Sequence, residues 1–481
     1  MNSSCITRFG VATGLVLSLL LPLGAAGQQT KAKGFRAGAA TSNITPKLGT
    51  SINGGMQDRA ATHVHDELHA RCLALDDGQT KLVIVVCDSC MILREIFDQA
   101  KRLVNEATGL PVENMMMSAT HTHSAPTAGA VFQSEPDPEY QDFLARRIAD
   151  GVRRALNNLA PARLGWAVGS EPTEVFNRRW YLKEGTMPKN AFGKYDKVKM
   201  NPGRGSDSLV EPAGPTDPQV CVLAVQTPEG KPLALLANYS LHYVGGTGGG
   251  HISADYYGMF CDRIQQLLGA DRQDPAFVGM LSNGTSGDIN NINFRVKGES
   301  YPPYAKMRQV ADKVATEAAR VYKTIQFRDT VSLAAAQKEL KLGVRKPTAE
   351  EVAQAKEIMS RAKKLPRMET LEEIYARETV QMAAYPDQVA CIVQAFRIGE
   401  LGIAAIPCET FVEIGLEIKE RSPFRPTFTH SLANGYNGYL PTPKHHELGG
   451  YETWRAKSSY LEAQASTKIT AAILEMMGKL R

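Results

Sequence analysis

The chain has 481 residues, 43% of them hydrophobic and 22% charged, which excludes a disordered or collagen-like polypeptide. Lys and Arg number 55 against 50 Asp and Glu, and this dispersed surplus of +5 excludes a nucleic-acid footprint, which needs basic residues clustered on one face. No heptad array or long repeat is present, and the length alone suggests roughly two to three domains, with one large α/β domain also possible.

The first feature in chain order is Arg8, followed by a short apolar run from Val11 to Leu23 and the small residues Gly24, Ala25, Ala26 and Gly27. A positive start, a brief apolar stretch and a small-residue site predict a signal peptide over residues 1–27 and a secreted or periplasmic protein. The run falls short of the roughly 20 residues that a bilayer span requires. Cys5 would leave with that peptide. The other cysteines form an odd, scattered set rather than a disulfide framework. Cys72, Cys87, Cys221 and Cys391 sit in apolar strand-like runs and read as buried small hydrophobes. The C-x-x-C of Cys87 and Cys90 lacks a thioredoxin-like context and reads the same way. Sequons occur at Asn43, Asn238 and Asn283, the last two in surroundings that look internal.

Lys81 to Cys87 (KLVIVVC) predicts a strand buried on both faces, Leu93 to Glu106 an amphipathic helix, and Asn114 to Thr120 another buried strand. A helix is expected over Tyr140 to Leu156, strands over 220–226, 233–241 and 276–281, and a helix over 310–324. This alternation predicts an α/β fold, a large mixed β-sheet system flanked by helices, as one domain over residues 34–481. Residues 182–216, rich in Gly, Pro, Lys and Asn, read as a long surface excursion, and residues 347–384 as a charged, solvent-facing helix pair. A closing helix is expected from Ser458.

The chemistry gathers where apolar strands run into polar loops. His121 and His123 follow the strand ending near Thr120; strand residues two apart face one way, so the pair can converge as zinc ligands do. A plain surface H-x-H remains the alternative on spacing alone. His242 ends another apolar run and opens a loop of Gly245, Gly246, Gly248, Gly249 and Gly250, which lacks the Lys-Ser/Thr of a phosphate cradle. Further polar loops are Ser282 to Asn291, Pro407-Cys408-Glu409, and Asn434 to Tyr439.

Taken together and in this order, the elements resemble the catalytic domain of the neutral ceramidases. The elements are H-T-H-S from His121, H…ISAD from His242 to Asp255, a small-polar run to Gly287-Asp288, P-x-E-x-F around Glu409, and N-x-Y-x-x-Y from Asn434 with Tyr451-Glu452. The opening Ala37 to Pro46, His65-x-x-Leu-x-Ala-Arg71, Val86-Cys-Asp88 and Asn177-Arg178 extend the resemblance across most of the chain outside the two excursions. It implies one catalytic Zn2+ held by His121, His242, Glu409 and Tyr436. It also implies that His123, Arg178 and Tyr451 lie beside the substrate carbonyl, with Asp255 and Asp288 orienting ligands. The implied activity is hydrolysis of the amide bond of ceramide or a related N-acyl lipid. The implied partners are a small-molecule or lipid substrate and, transiently, a membrane surface, with no oligomeric state specified.

One position departs from the family. Asn290 stands where the family's G-D-x-S-P-N element carries a serine. Two alternatives follow: a hydrolase of the same fold acting on a different amide or ester, or a catalytically silent binder of lipid or metal. The chain ends about thirty residues after Tyr451, so the family's carboxy-terminal β-sandwich is not expected in it.

Overall fold

In the computed structural model, which describes residues 34–481 and Gly10, the apolar runs become three sheets that face a shared centre. The signal peptide expected over residues 1–27 otherwise lies outside the described residues. The first sheet has the order Met115–Ala119, Lys81–Cys87, His69–Asp76, Arg36–Asn43 and Ala160–Pro161. The second runs Val278–Asn283, Pro232–Tyr239, Gln219–Gln226 and Arg163–Ser170, and the third Leu333–Gly343, Gln388–Ile398, Leu401–Ala405 and Thr427–His430. Each sheet is mostly antiparallel but carries one parallel pair: 81–87 with 115–119, 232–239 with 278–283, and 401–405 with 427–430.

Alternate residues of these strands point to the common centre, where Ile84 and Met116, Leu236 and Met280, and Ile403 and Phe428 meet in one cluster. The opposite faces are covered by helices. Arg94–Thr108 and Pro138–Asn157 cover the first sheet, Asp255–Leu267 and Ala305–Tyr322 the second, and Val412–Arg421 and Ala465–Leu480 the third. A strand covered on both faces has no polar side, which is why KLVIVVC reads as continuous rather than alternating. Each fully buried Leu, Ile or Phe there contributes about 1.5–3 kcal/mol.

The helices start and stop for local reasons. Arg94–Thr108 buries Ile96, Phe97, Ala100 and Val104 on one stripe, and it ends where Gly109 takes φ +72 and returns its N–H to the Asn105 carbonyl. Pro138–Asn157 opens on Asp137, whose side chain accepts from the Glu139 N–H. Thr348 with Glu351 and Thr370 with Glu373 form capping boxes at the starts of Ala349–Ser360 and Leu371–Met382.

Three expectations need correction. Residues 182–216 are not merely loop: Lys199–Met200 and Leu209–Pro212 flank Arg179–Leu182 in a small sheet. The helix pair within 347–384 is not solvent-facing throughout, because Leu371–Met382 buries Ile374, Tyr375, Ala376 and Met382. The last helix starts at Ala465, since the preceding residues are held extended, with Ser458 accepting from the Tyr439 N–H and Ser459 from Arg345. The seven cysteines from Cys72 onward are free and buried, and Asn238 and Asn283 are inside. Among the described residues no helix is long and apolar enough to cross a membrane.

Candidate active site

The three parallel strand pairs end at one place, and the loops leaving their carboxyl ends build the site, the usual position for ligands in sheets of this kind. His121 follows Met115–Ala119, His242 follows Pro232–Tyr239, and Glu409 follows Leu401–Ala405. The segment after Thr427–His430 ties the sheets together. Ser431 donates to the Asn283 carbonyl, Ala433 to that of Ile406 and Asn434 to that of Met117, while Ala119 donates to Leu432. Ligand positions on three sheets are thereby set against one another by backbone bonds.

The His121 Nε2 lies 3.1 Å from the His242 Nε2 and 3.2 Å from the Glu409 Oε2, and the Tyr436 hydroxyl donates to the Glu409 Oε1 at 2.9 Å. The structure therefore brings together all four residues of the expected ligand set. His121 departs from the reasoning that singled it out: its φ of +77 takes it out of strand geometry, so His121 and His123 do not converge by alternation. They meet because the chain turns sharply, with the rings edge to face and the Nε2 atoms 3.1 Å apart.

Backbone carbonyls orient the two imidazoles. The Nδ1–H of His121 donates to the Cys90 carbonyl at 2.6 Å and that of His242 to the Ser286 carbonyl at 3.0 Å. In the neutral ring this leaves Nε2 as a lone pair facing the cluster. Asp255 and Asp288 do not touch these rings. Asp255 accepts from the Val244 and Gly245 N–H groups and fixes the turn after His242; Asp288 accepts from Asn177 and from the Val412 N–H.

Burial works against a charged His121, yet the Glu409 carboxylate and Cys90 together outweigh it and lift its pKa well above the ordinary histidine value, so without a metal His121 and Glu409 form a buried ion pair. Burial would raise Glu409, but His121 and Arg178 pull it below the usual carboxylate range. Burial, then Arg178 and His121, hold His242 well below its ordinary value. Glu409 Oε2 is buried without a hydrogen-bond partner. A metal ion would displace the proton of the His121 and Glu409 pair, and two buried imidazole nitrogens with a buried carboxylate are a donor set that suits zinc. The ligand atoms of His121, His242 and Glu409 lie within 4.8 Å of one another, close enough to hold one ion, and Cys90, His121 and His123 form a second such group.

A pocket of about 30 Å3 opens beside the cluster, lined by His121, His123, Glu409, Tyr436, Tyr439 and Tyr451 among others. His123 is stacked on Tyr243, ring centroids 3.6 Å apart, and burial together with the charge on His121 lowers its pKa well below the ordinary value. Arg178 is set behind this wall. Its Nη2 donates to the Gly287 carbonyl and the Tyr439 hydroxyl, and its Nε lies 3.4 Å from Glu452. A larger cavity of about 530 Å3 lies against Val244 to Gly246 and Asn291, but none of the four expected ligand residues lines it.

Several neighbours had no assigned part from sequence. Cys90 and Gly54 line the pocket, and Glu452 is fully buried between Arg178 and Arg179. Glu452 was visible only as the acidic partner in the Tyr451-Glu452 pair, and Cys90 only as part of a C-x-x-C read as buried. Asn290 is not turned to the cluster: its amide donates to Asn201 and its carbonyl oxygen accepts from the Ile292 N–H.

Comparisons with known proteins bear on the family and the fold. Neutral ceramidase A of Dictyostelium discoideum is 24% identical over 272 residues, 53% of this chain, and the chain spans about a third (36%) of that relative's length. The crystal structure of neutral ceramidase from Pseudomonas aeruginosa superposes with a TM-score of 0.70 at 18% identity, covering 93% of this chain and 74% of that one. A ceramidase complexed with C2 gives 0.69, 18%, 93% and 75%. At such identity the structures show a shared fold. The family described as neutral/alkaline non-lysosomal ceramidase, N-terminal, matches residues 35–299, a span that includes His121, His123, Arg178 and His242 and stops short of Glu409 and Tyr436. With more than half of the chain matched, this protein belongs to the neutral/alkaline non-lysosomal ceramidase family.

Proposed function

We propose that the protein is an exported zinc-dependent amidohydrolase that cleaves the N-acyl amide bond of ceramide or a related N-acyl lipid. Residues 34–481 would form the hydrolase domain, with residues 1–27 removed on export and 182–216 and 347–384 as excursions. The observation that carries the reading is the convergence of His121, His242 and Glu409 from three sheets, buried and with ligand atoms within 4.8 Å.

In this reading His121, His242, Glu409 and Tyr436 hold the ion. Zinc would supply Lewis acidity toward the amide carbonyl and lower the pKa of a water toward about 7. His123 stands in the pocket wall with its Nε2 3.1 Å from that of His121, where its ring would accept a proton as the amide is attacked and return it to the departing nitrogen. Arg178, fixed by Gly287, Tyr439 and Glu452, directs positive potential toward the pocket, where negative charge develops on the carbonyl oxygen. Tyr451 lines the pocket with its ring against Tyr439, centroids 5.9 Å apart, and limits water beside the reacting group.

A second reading keeps the hydrolase and changes the substrate. Asn290 replaces the family serine, and its amide is engaged with Asn201 of the 182–216 excursion, so the group that usually stands there is missing from the substrate's side. Zinc analysis of the purified protein, with a fluorescent ceramide assayed against simple N-acyl amides and esters with and without chelator, separates the readings. Absence of bound metal, or hydrolysis untouched by Glu409→Ala, would sink both. Turnover confined to the non-ceramide substrates selects the second.

A further inference from the structure

One pocket wall is held from outside the strand ends that carry the cluster. Phe132 lines the pocket at φ +52, a left-handed conformation that is costly for an aromatic residue and persists only where its surroundings enforce it. The restraints come from the 347–384 segment. Arg377 donates to the Phe132 carbonyl, and the Tyr375 ring meets the Phe132 ring edge to face, centroids 6.0 Å apart. The next residue, Gln133, pairs with Met368 through two hydrogen bonds: the Met368 N–H to Oε1 at 2.7 Å, and Nε2 to the Met368 carbonyl at 3.0 Å. Gln57, from the loop carrying Gly54, donates to the same carbonyl at 2.8 Å.

The space beside the cluster, about 30 Å3, is the size of a water or two, so an acyl group that enters it meets its walls closely. The imidazoles cannot yield, because carbonyls lock them and their strands are tied sheet to sheet. Phe132 is the bulky apolar wall whose position depends on a separate, inserted element. We propose that Phe132, positioned by Arg377 and Met368, is the specificity-determining residue of the pocket: its ring sets the width of the acyl group that can bring a carbonyl to the cluster, passing straight chains and rejecting those branched at the carbon beside the carbonyl. This inference rests on the amidohydrolase reading above.

The test uses the full-length zinc-loaded protein and acyl hydroxamates, octanoyl for the straight chain and pivaloyl for the branched one, with affinities read by calorimetry and zinc content measured in parallel. The wild type prefers the octanoyl compound. Phe132→Ala reduces that preference by about tenfold or more, the discrimination that a few alkyl carbons in a close pocket supply. Phe132→Leu falls between the two, and remains the test if the alanine variant fails to fold. Arg377→Met, which keeps the ring and releases its carbonyl, moves the ratio the same way by less, with zinc content unchanged; a merely structural arginine would leave the ratio where it was. A ratio unchanged within about twofold in the folded, zinc-bound Phe132 variants overturns the inference. A shifted ratio in a protein that hydrolyses no N-acyl compound removes the amidohydrolase reading and leaves of the inference only the selection of acyl ligands by Phe132. A protein that binds no zinc removes both.

Discussion

Gly54→Ala isolates the placement of His123 from the binding of metal. Gly54 sits at φ +96, and a Cβ there would lie 2.3 Å from the His123 Cγ, about 1.2 Å short of the roughly 3.5 Å at which carbon atoms meet. The ring cannot retreat directly, because Tyr243 is stacked on it at 3.6 Å. The methyl group therefore costs about 1–2 kcal/mol for the left-handed backbone and about 1–3 kcal/mol for overpacking, and His123 shifts by about an ångström. A displacement of that size at a reacting group lowers the rate by about 10²-fold. Metal binding should survive, since His121 and His242 are oriented by the Cys90 and Ser286 carbonyls, away from the new methyl. The control is Gly49→Ala: φ is +88 there, but nothing lies within 4 Å, so only the backbone strain applies. The assay is hydrolysis of an N-acyl substrate beside zinc content and urea unfolding for both variants. The reasoning is refuted if Gly54→Ala loses no more activity than Gly49→Ala, or if it loses its zinc.

Removing the metal with a chelator should lower the melting temperature, because only the folded chain brings the His121, His242 and Glu409 ligand atoms within 4.8 Å of one another; an ion present at 100 times its Kd adds about 2.7 kcal/mol. A melting curve unmoved by chelation contradicts this. Glu452→Ala strips the carboxylate from two buried guanidiniums, Arg179 at 2.8 Å and Arg178 at 3.4 Å, and should cost about 3–5 kcal/mol in urea unfolding; a loss under about 1 kcal/mol would show that the pairing does not matter. Burial lowers the pKa of His430 to about 3, so the unfolded chain takes up a proton that the native state refuses. Stability from this residue is full above about pH 6.5 and falls as pH drops toward 3, by up to about 1.4 kcal/mol per unit. The urea midpoint of His430→Phe should change less steeply with pH over that window, and equal slopes would exclude His430 as the source.

Much of the fold was legible because local chemistry suffices for it. KLVIVVC, a continuous β-branched run, suits a strand covered on both faces, and the apolar spacing of 93–106 and 140–156 placed two helices to within a few residues of their ends. The boundaries failed where tertiary contacts overrode local preference. Residues 458–464 have no helical partner to replace the bonds they make to Arg345 and Tyr439, so the last helix waits until Ala465. The charged Leu371–Met382 helix buries Tyr375 because Phe132 and Trp454 meet it there, residues far away in sequence.

The ordered motifs of the sequence carry the resemblance to the family, and that resemblance implied His121, His242, Glu409 and Tyr436 as ligands, since each loop carries its residue type locally. What only the tertiary structure decided is how those residues meet. His121 reaches the cluster by a positive φ rather than by strand alternation, and the carbonyls of Cys90 and Ser286, not the carboxylates of Asp255 and Asp288, turn the imidazoles. Gly54 under His123, Glu452 between two arginines and Phe132 clamped by Arg377 leave no local signature, because each is a relation between segments that approach only after three sheets have packed on one core. Side-chain type is a property of one position in the chain, whereas orientation, desolvation and the sharing of charge belong to the packed whole.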